Sequence, residues 1–92
     1  MSKTADQWKQ EGNDAFKNKN YDVAIAAYTN AIKMNPSEAS YFGNRAACYL
    51  NLKNYVKTSE DCDRAIAIDP NFAKAYRRKA LAQMNMLNFD DS

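Results

Sequence analysis

The chain has 92 residues, 46% of them apolar, and a formal net charge of +2, which fits one small domain with its own core. So small a net charge gives no reason to expect a nucleic-acid partner. Histidine is absent, which excludes the usual general base, the Ser-His and Cys-His nucleophile pairs and His-containing zinc sites. We therefore expect neither an enzyme nor a metal or cofactor site.

The first part of the chain predicts two helices. Thr4-Ala5-Asp6-Gln7 is a capping-box pattern that opens a helix over about residues 5–18. After a polar turn, apolar residues at helical spacing predict a second helix over 21–34. This helix ends before Pro36, because proline has no backbone N–H to donate.

The rest of the chain predicts the same arrangement again. Ser37 is the expected N-cap of a third helix over about 38–52, followed by helices over 55–68 and 72–86. Residues 88–92 look like the opening of a sixth helix. We expect no secretory or membrane segment, since the first apolar residues are isolated among charges. Cys48 and Cys62 are expected to be reduced, intracellular core residues.

One short stretch sets the repeat period of the chain. Ala31-Ile-Lys-Met-Asn-Pro36 returns as Ala65-Ile-Ala-Ile-Asp-Pro70. Equivalent positions match in chemistry: aromatic residues stand at 8, 42 and 76 and at 21, 55 and 89, and small residues at 12, 46 and 80. A period of this length, about 34 residues, is typical of a solenoid of paired helices. The matched residues are therefore expected to pack.

This pattern resembles the tetratricopeptide repeat (TPR) family. The signature residues are Trp8, Gly12, Ala24, Tyr28, Ala31 and Pro36 in the first repeat and Phe42, Ala46, Tyr49, Ala65 and Pro70 in the second. Glu11, Ala15, Thr58 and Cys62 depart from the family's preferences. The resemblance implies an all-α solenoid of antiparallel helix pairs, whose first helices line a concave groove. One domain over 1–92 would hold repeat one (5–38), repeat two (39–72) and part of repeat three (73–92).

Five polar residues stand on the helices expected to line the groove. Lys9 and Asn13 share a helix face at a spacing of four residues, Lys74 and Arg78 do the same, and Asn44 lies on the helix between them. None of these positions carries an acid. Cations beside amides form the donor set that a carboxylate requires, and the doubly acidic end of a peptide suits it best.

The same five residues are similar, in type and spacing, to the carboxylate clamp of TPR co-chaperones. That resemblance implies cytoplasmic recognition of the C-terminal EEVD tails of seventy- and ninety-kilodalton heat-shock proteins. Asn13 and Asn44 would donate to the terminal carboxylate, and Lys9 would supply charge. Lys74 would hold the same carboxylate or the aspartate side chain from the opposite wall, and Arg78 would bond peptide carboxylates or carbonyls further back. Phe16, Ala47 and Leu50 are candidates for an apolar pocket around the penultimate valine, although core packing is the more ordinary role for each of them.

Two other functions remain open at this point. The repeats would serve as a general scaffold if they bound internal segments without needing a free C-terminus. Alternatively, the chain would be the N-terminal targeting module of a larger enzyme. It resembles the modules of heat-shock organising co-chaperones and of type-five serine/threonine phosphatases alike.

The incomplete third repeat predicts self-association. Leu81, Met84, Leu87 and Phe89 stand where a following helix would cover them, and an uncovered apolar face favours pairing between copies. We expect a homodimer at high protein concentration. Light scattering over a dilution series should show the mass falling toward that of a monomer, whereas a monomer at every concentration would contradict this expectation.

Overall fold

A computed structural model describes residues 3–89, and the side chains of residues 3–87. Within that range it contains five α-helices: α1 (Ala5–Lys17), α2 (Tyr21–Met34), α3 (Ala39–Asn51), α4 (Tyr55–Ile68) and α5 (Ala73–Phe89). α1 packs on α2 and α3 on α4, while α5 packs on α4 and α3. The expected all-α solenoid of two helix pairs and one further helix is therefore confirmed. No helix in the described range has both the length and the apolar composition needed to cross a membrane.

Side-chain hydrogen bonds explain where α1 begins. The Thr4 hydroxyl accepts from the Gln7 backbone N–H at 3.1 Å, and the Gln7 side chain accepts from the Thr4 N–H at 2.8 Å, which confirms the capping box. The predicted bounds of α2 and α4 agree with the structure. The prediction of Ser37 as the cap of α3 is wrong. Glu38 holds that position, and its side chain makes no capping bond.

The turns inside the two hairpins use one conformation. Lys19 and Lys53, which are one repeat period apart, have φ values of 60° and 64°, a left-handed conformation that a side chain adopts at some cost. The equivalent position in the third repeat is Leu87. This residue is helical, and α5 continues past it to Phe89. The expected helix end at 86 is therefore wrong, as is a sixth helix opening at 88. Residues 90–92 lie outside the described range.

Small residues let the helices approach each other closely. Ala24, Ala31, Ala46 and Ala65 have no exposed surface. At Gly12, an added Cβ would lie 2.5 Å from the ring of Tyr28, so only glycine fits against that ring. Two apolar clusters result, one among α1, α2 and α3 and the other among α2 to α5.

Packing of the matched residues weakens in the third repeat. Phe42 is 5% exposed and Ala46 is fully buried, as expected. Tyr76 is 49% exposed and Ala80 is also exposed, so the expectation that they pack is wrong. No helix follows α5 in the described range to cover them.

Cys48 and Cys62 lie in the core as free thiols, in agreement with the sequence. Burial raises the pKa of Cys48 to about 12 and that of Cys62 to about 11. Because the thiolate is the reactive form, both residues behave as small apolar side chains at neutral pH.

A part-buried ion pair links three helices. Arg45 on α3 donates from Nε and Nη2 to the two carboxylate oxygens of Asp61 on α4, at 2.8 and 2.7 Å. Its Nη1 donates to the Thr29 hydroxyl on α2 at 3.1 Å. The Asp61 side chain is 5% exposed, so removal of either charge would leave the other poorly solvated.

Asp61→Ala should lower the free energy of unfolding by about 3 kcal/mol, because Arg45 would keep a largely desolvated charge without its partner. Urea denaturation followed by circular dichroism measures this loss. Glu60→Ala is the matched control, since the neighbouring carboxylate is exposed and its removal should change stability by less than about 0.5 kcal/mol. Equal effects of the two substitutions would contradict a structural role for the pair.

Candidate functional site

A groove cavity of about 450 Å³ lies on the face shared by α1, α3 and α5. Five residues named from the sequence line it: Asn13, Phe16, Asn44, Ala47 and Arg78. Gln10, Lys17 and Tyr28 complete its lining. Three separate helices therefore bring predicted polar and apolar groups to one concave surface.

Three of the predicted residues do not line this cavity. Lys9 is partly buried one turn before Asn13, and Lys74 is exposed one turn before Arg78. Four helical residues rise about 6 Å along the axis, so each lysine lies about that far along its helix from a residue that lines the cavity. Leu50 is partly buried on α3, three residues beyond Ala47, and stands outside the cavity lining.

Asn13 is oriented by a buried neighbour. The hydroxyl of Tyr28 on α2 donates to Asn13 Oδ1 at 2.6 Å. The amide oxygen is therefore already occupied within the protein, and the Asn13 Nδ2 group keeps its N–H donors for another acceptor.

Arg78 is anchored to the neighbouring helix and half-buried. Its Nη1 donates to the carbonyl oxygen of Gly43 on α3 at 2.9 Å. Burial lowers the pKa of the guanidinium from its ordinary value, with the nearby thiols and Tyr28 acting in the opposite direction. The group stays charged at neutral pH because arginine titrates far above that range.

The positive charge of the groove is not neutralised by acids in the described part of the chain. The ion pairs found in the described part of the chain are Lys3 with Glu11, Arg45 with Asp61, and Lys79 with Asp63 at 2.5 Å. None of them involves Lys9, Lys74 or Arg78. A half-buried arginine whose acceptor, within residues 3–87, is a neutral carbonyl favours an anionic ligand, since a negative charge would compensate its lost hydration.

Sequence reasoning missed three of the lining residues. Gln10 precedes Asn44 by one repeat period, and Asn44 precedes Arg78 by the same interval, so the repeat would have identified Gln10 as the equivalent position on α1. The Gln10 side chain donates to Asp14 Oδ1 at 3.1 Å. Lys17 had no distinguishing signal, and Tyr28 was assigned to packing alone.

A larger cavity of about 770 Å³ lies elsewhere, between the α3–α4 turn and the end of α5. Leu52, Val56 and Met86 give it a mainly apolar lining, and Lys53 is its one charged residue. Its composition does not suit an anion. The smaller groove, with amide and guanidinium donors beside the apolar surface of Phe16 and Ala47, suits a carboxylate attached to an apolar residue.

Comparison with known proteins supports a repeat solenoid. Residues 9–73 match the family model described as tetratricopeptide repeat. Hsp70-Hsp90 organizing protein 2 of Arabidopsis thaliana is 39% identical over 87 residues, which cover 95% of this chain and 15% of that protein. Human serine/threonine-protein phosphatase 5 is 41% identical over 87 residues, covering 95% of this chain and 17% of that protein. The chain thus spans less than a fifth of the length of these two relatives.

Two similar solved structures contain chaperone peptides. The second TPR of Spaghetti (RPAP3), bound to the HSP90 peptide SRMEEVD, has a TM-score of 0.90 at 32% identity, covering 96% of this chain and 82% of that chain. The TPR2B domain of yeast Sti1 in complex with an Hsp70 peptide has a TM-score of 0.88 at 37% identity, covering 95% of this chain and 70% of that one.

Proposed function

The chain belongs to the tetratricopeptide repeat family, and from that premise we propose that it binds the acidic C-terminal EEVD tails of heat-shock chaperones of the seventy- and ninety-kilodalton classes. The observation that carries this proposal is the half-buried guanidinium of Arg78, which has only the Gly43 carbonyl as an acceptor among the described residues. The peptides held by the RPAP3 and Sti1 domains support it, since those domains share this fold at 32% and 37% identity.

Each groove residue has a role in peptide binding that follows from its side-chain chemistry. Asn13 and Asn44 donate amide N–H groups to the terminal carboxylate, while Lys9 and Lys74 add charge from the two flanking helices. Arg78 binds peptide oxygens further back. It does so with the N–H groups that remain after its Nη1 has donated to the Gly43 carbonyl. Phe16 and Ala47, on the cavity wall, accept the penultimate valine, and Leu50 extends that apolar surface from α3.

Moderate affinity follows from the same contacts. A hydrogen bond to a charged group contributes roughly 1.5–3 kcal/mol, and ordering a flexible tail offsets part of the total. The balance corresponds to a dissociation constant on the order of micromolar. Such binding suits a co-chaperone that must release its partner.

The proposal assigns binding and no catalysis to this chain, and it places the chain in the cytoplasm, where such tails occur. The lack of histidine supports the first point. A targeting module within a longer enzyme is the second candidate, favoured by the match to phosphatase 5 over 17% of that protein. In that arrangement the groove would bind the same tails, and the catalytic chemistry would belong to another domain.

A peptide ending in EEVD should lose at least tenfold in affinity when its C-terminal carboxylate is amidated, because the amide removes the charge that the groove donors bind. Isothermal titration calorimetry with the free and amidated peptides measures the difference. A general scaffold for internal segments would bind both equally, and that result would overturn the proposal.

Lys9→Ala and Arg78→Ala should each weaken binding of the EEVD peptide by about tenfold or more, since each removes a charged donor from the site. Calorimetry gives the affinities, and far-ultraviolet circular dichroism checks that helicity is retained. Lys33→Ala, an exposed lysine in the last turn of α2, is the matched control and should bind as the parent does. Parent-like affinity in either groove variant would contradict the assigned roles.

A further inference from the structure

Tyr28 and Asn13 form a pair that faces both the core and the groove. Tyr28 is 2% exposed, yet its hydroxyl reaches the cavity wall and donates to Asn13 Oδ1 at 2.6 Å. A tyrosine hydroxyl has one proton, and Asn13 Oδ1 is its acceptor among the described residues. If the Asn13 amide were reversed, the hydroxyl proton would lose this acceptor.

The ring of Tyr28 is held in one place. Gly12, which precedes Asn13 on α1, leaves the space that the ring fills; an added Cβ there would approach Cε1 to 2.5 Å. Burial raises the pKa of Tyr28 to about 12, so the hydroxyl keeps its proton and remains a donor at neutral pH. A fixed ring and a hydroxyl that keeps its proton favour the amide orientation in which Asn13 Oδ1 accepts from Tyr28.

Helix packing alone does not require this hydroxyl. The position equivalent to Tyr28 in the second repeat is Cys62, and those equivalent to Gly12 and Asn13 are Ala46 and Ala47. That hairpin buries Ala46 and Cys62 completely without a hydroxyl–amide pair. Among the described residues, the bond therefore occurs in the first hairpin, where α1 carries Asn13 at the position that Ala47 holds on α3.

We propose that Tyr28 is a positioning residue, which fixes the Asn13 amide with its nitrogen available to the carboxylate of a bound peptide. In the reversed orientation the amide oxygen would face the ligand carboxylate and repel it. This inference rests on the proposed function, since it assigns Asn13 a carboxylate to bind.

The test compares the parent with Tyr28→Phe, which removes only the hydroxyl and keeps the ring against Gly12. Binding of the free EEVD peptide, measured by calorimetry, should weaken about three- to tenfold, the range expected for one hydrogen bond that orders a donor. In an Asn13→Ala background the same substitution should have no further effect, because Tyr28 acts through Asn13. The side-chain amide protons of Asn13, observed by NMR in the unbound protein, should shift in Tyr28→Phe.

Tyr55→Phe is the matched control. Tyr55 is partly buried at the start of α4 and lies outside the groove, so this variant should bind as the parent does. Thermal unfolding of all variants separates a loss of fold from a loss of binding.

The outcomes also separate this inference from the function on which it rests. If the parent binds free and amidated peptides equally, the proposed function fails. If the parent discriminates between them while Tyr28→Phe binds as tightly, the positioning role is wrong. Additive losses from Tyr28→Phe and Asn13→Ala would also overturn it, because they would show that Tyr28 acts independently of Asn13.

Discussion

Close contact between helices at small residues is the constraint on which the groove depends. Gly12 packs against the ring of Tyr28 and Gly43 against that of Phe72, where an added Cβ would approach the rings to 2.5 and 2.7 Å. Because these gaps admit no larger side chain, they set how closely α1 packs on α2 and how closely α3 packs on the residue that precedes α5. The donors Asn13, Asn44 and Arg78 line one cavity, and in the described part of the chain no hydrogen bond joins them to each other.

Arg45 and Arg78 lie on neighbouring helices and differ in whether an acidic side chain compensates their charge. Arg45 donates to both oxygens of Asp61 and also to Thr29, so its charge is compensated within the protein. Arg78 is also half-buried, yet it donates to the Gly43 carbonyl, which is neutral. Similar burial thus accompanies a charge compensated by a carboxylate in one case and, in the other, a charge with no carboxylate partner among the described residues.

In the described residues the third repeat consists of α5, without a second helix to complete the hairpin. This helix carries Arg78, which lines the groove. Leu81, Met84 and Leu87 are more than 40% exposed on α5. The opposite face of the same helix buries Ala75 and Ala82 and directs Arg78 to Gly43. Contacts with α3 and α4 are thus enough to place the groove residue, while the apolar face of α5 stays open to a further helix or a second copy.

The sequence by itself determined the helical solenoid and most of the groove set. The repeat period and two prolines that end helices specify the pairing of helices, and a spacing of four residues places Asn13 beside Lys9 and Arg78 beside Lys74. Local sequence patterns did not predict where α5 ends. Whether the chain forms a helix or a turn at Leu87 depends on whether another helix packs there. Only the tertiary structure decided that Tyr28 donates to Asn13 and Arg78 to the Gly43 carbonyl, since these bonds join residues 15 and 35 positions apart. No pattern along the chain encodes which side chains meet across packed helices.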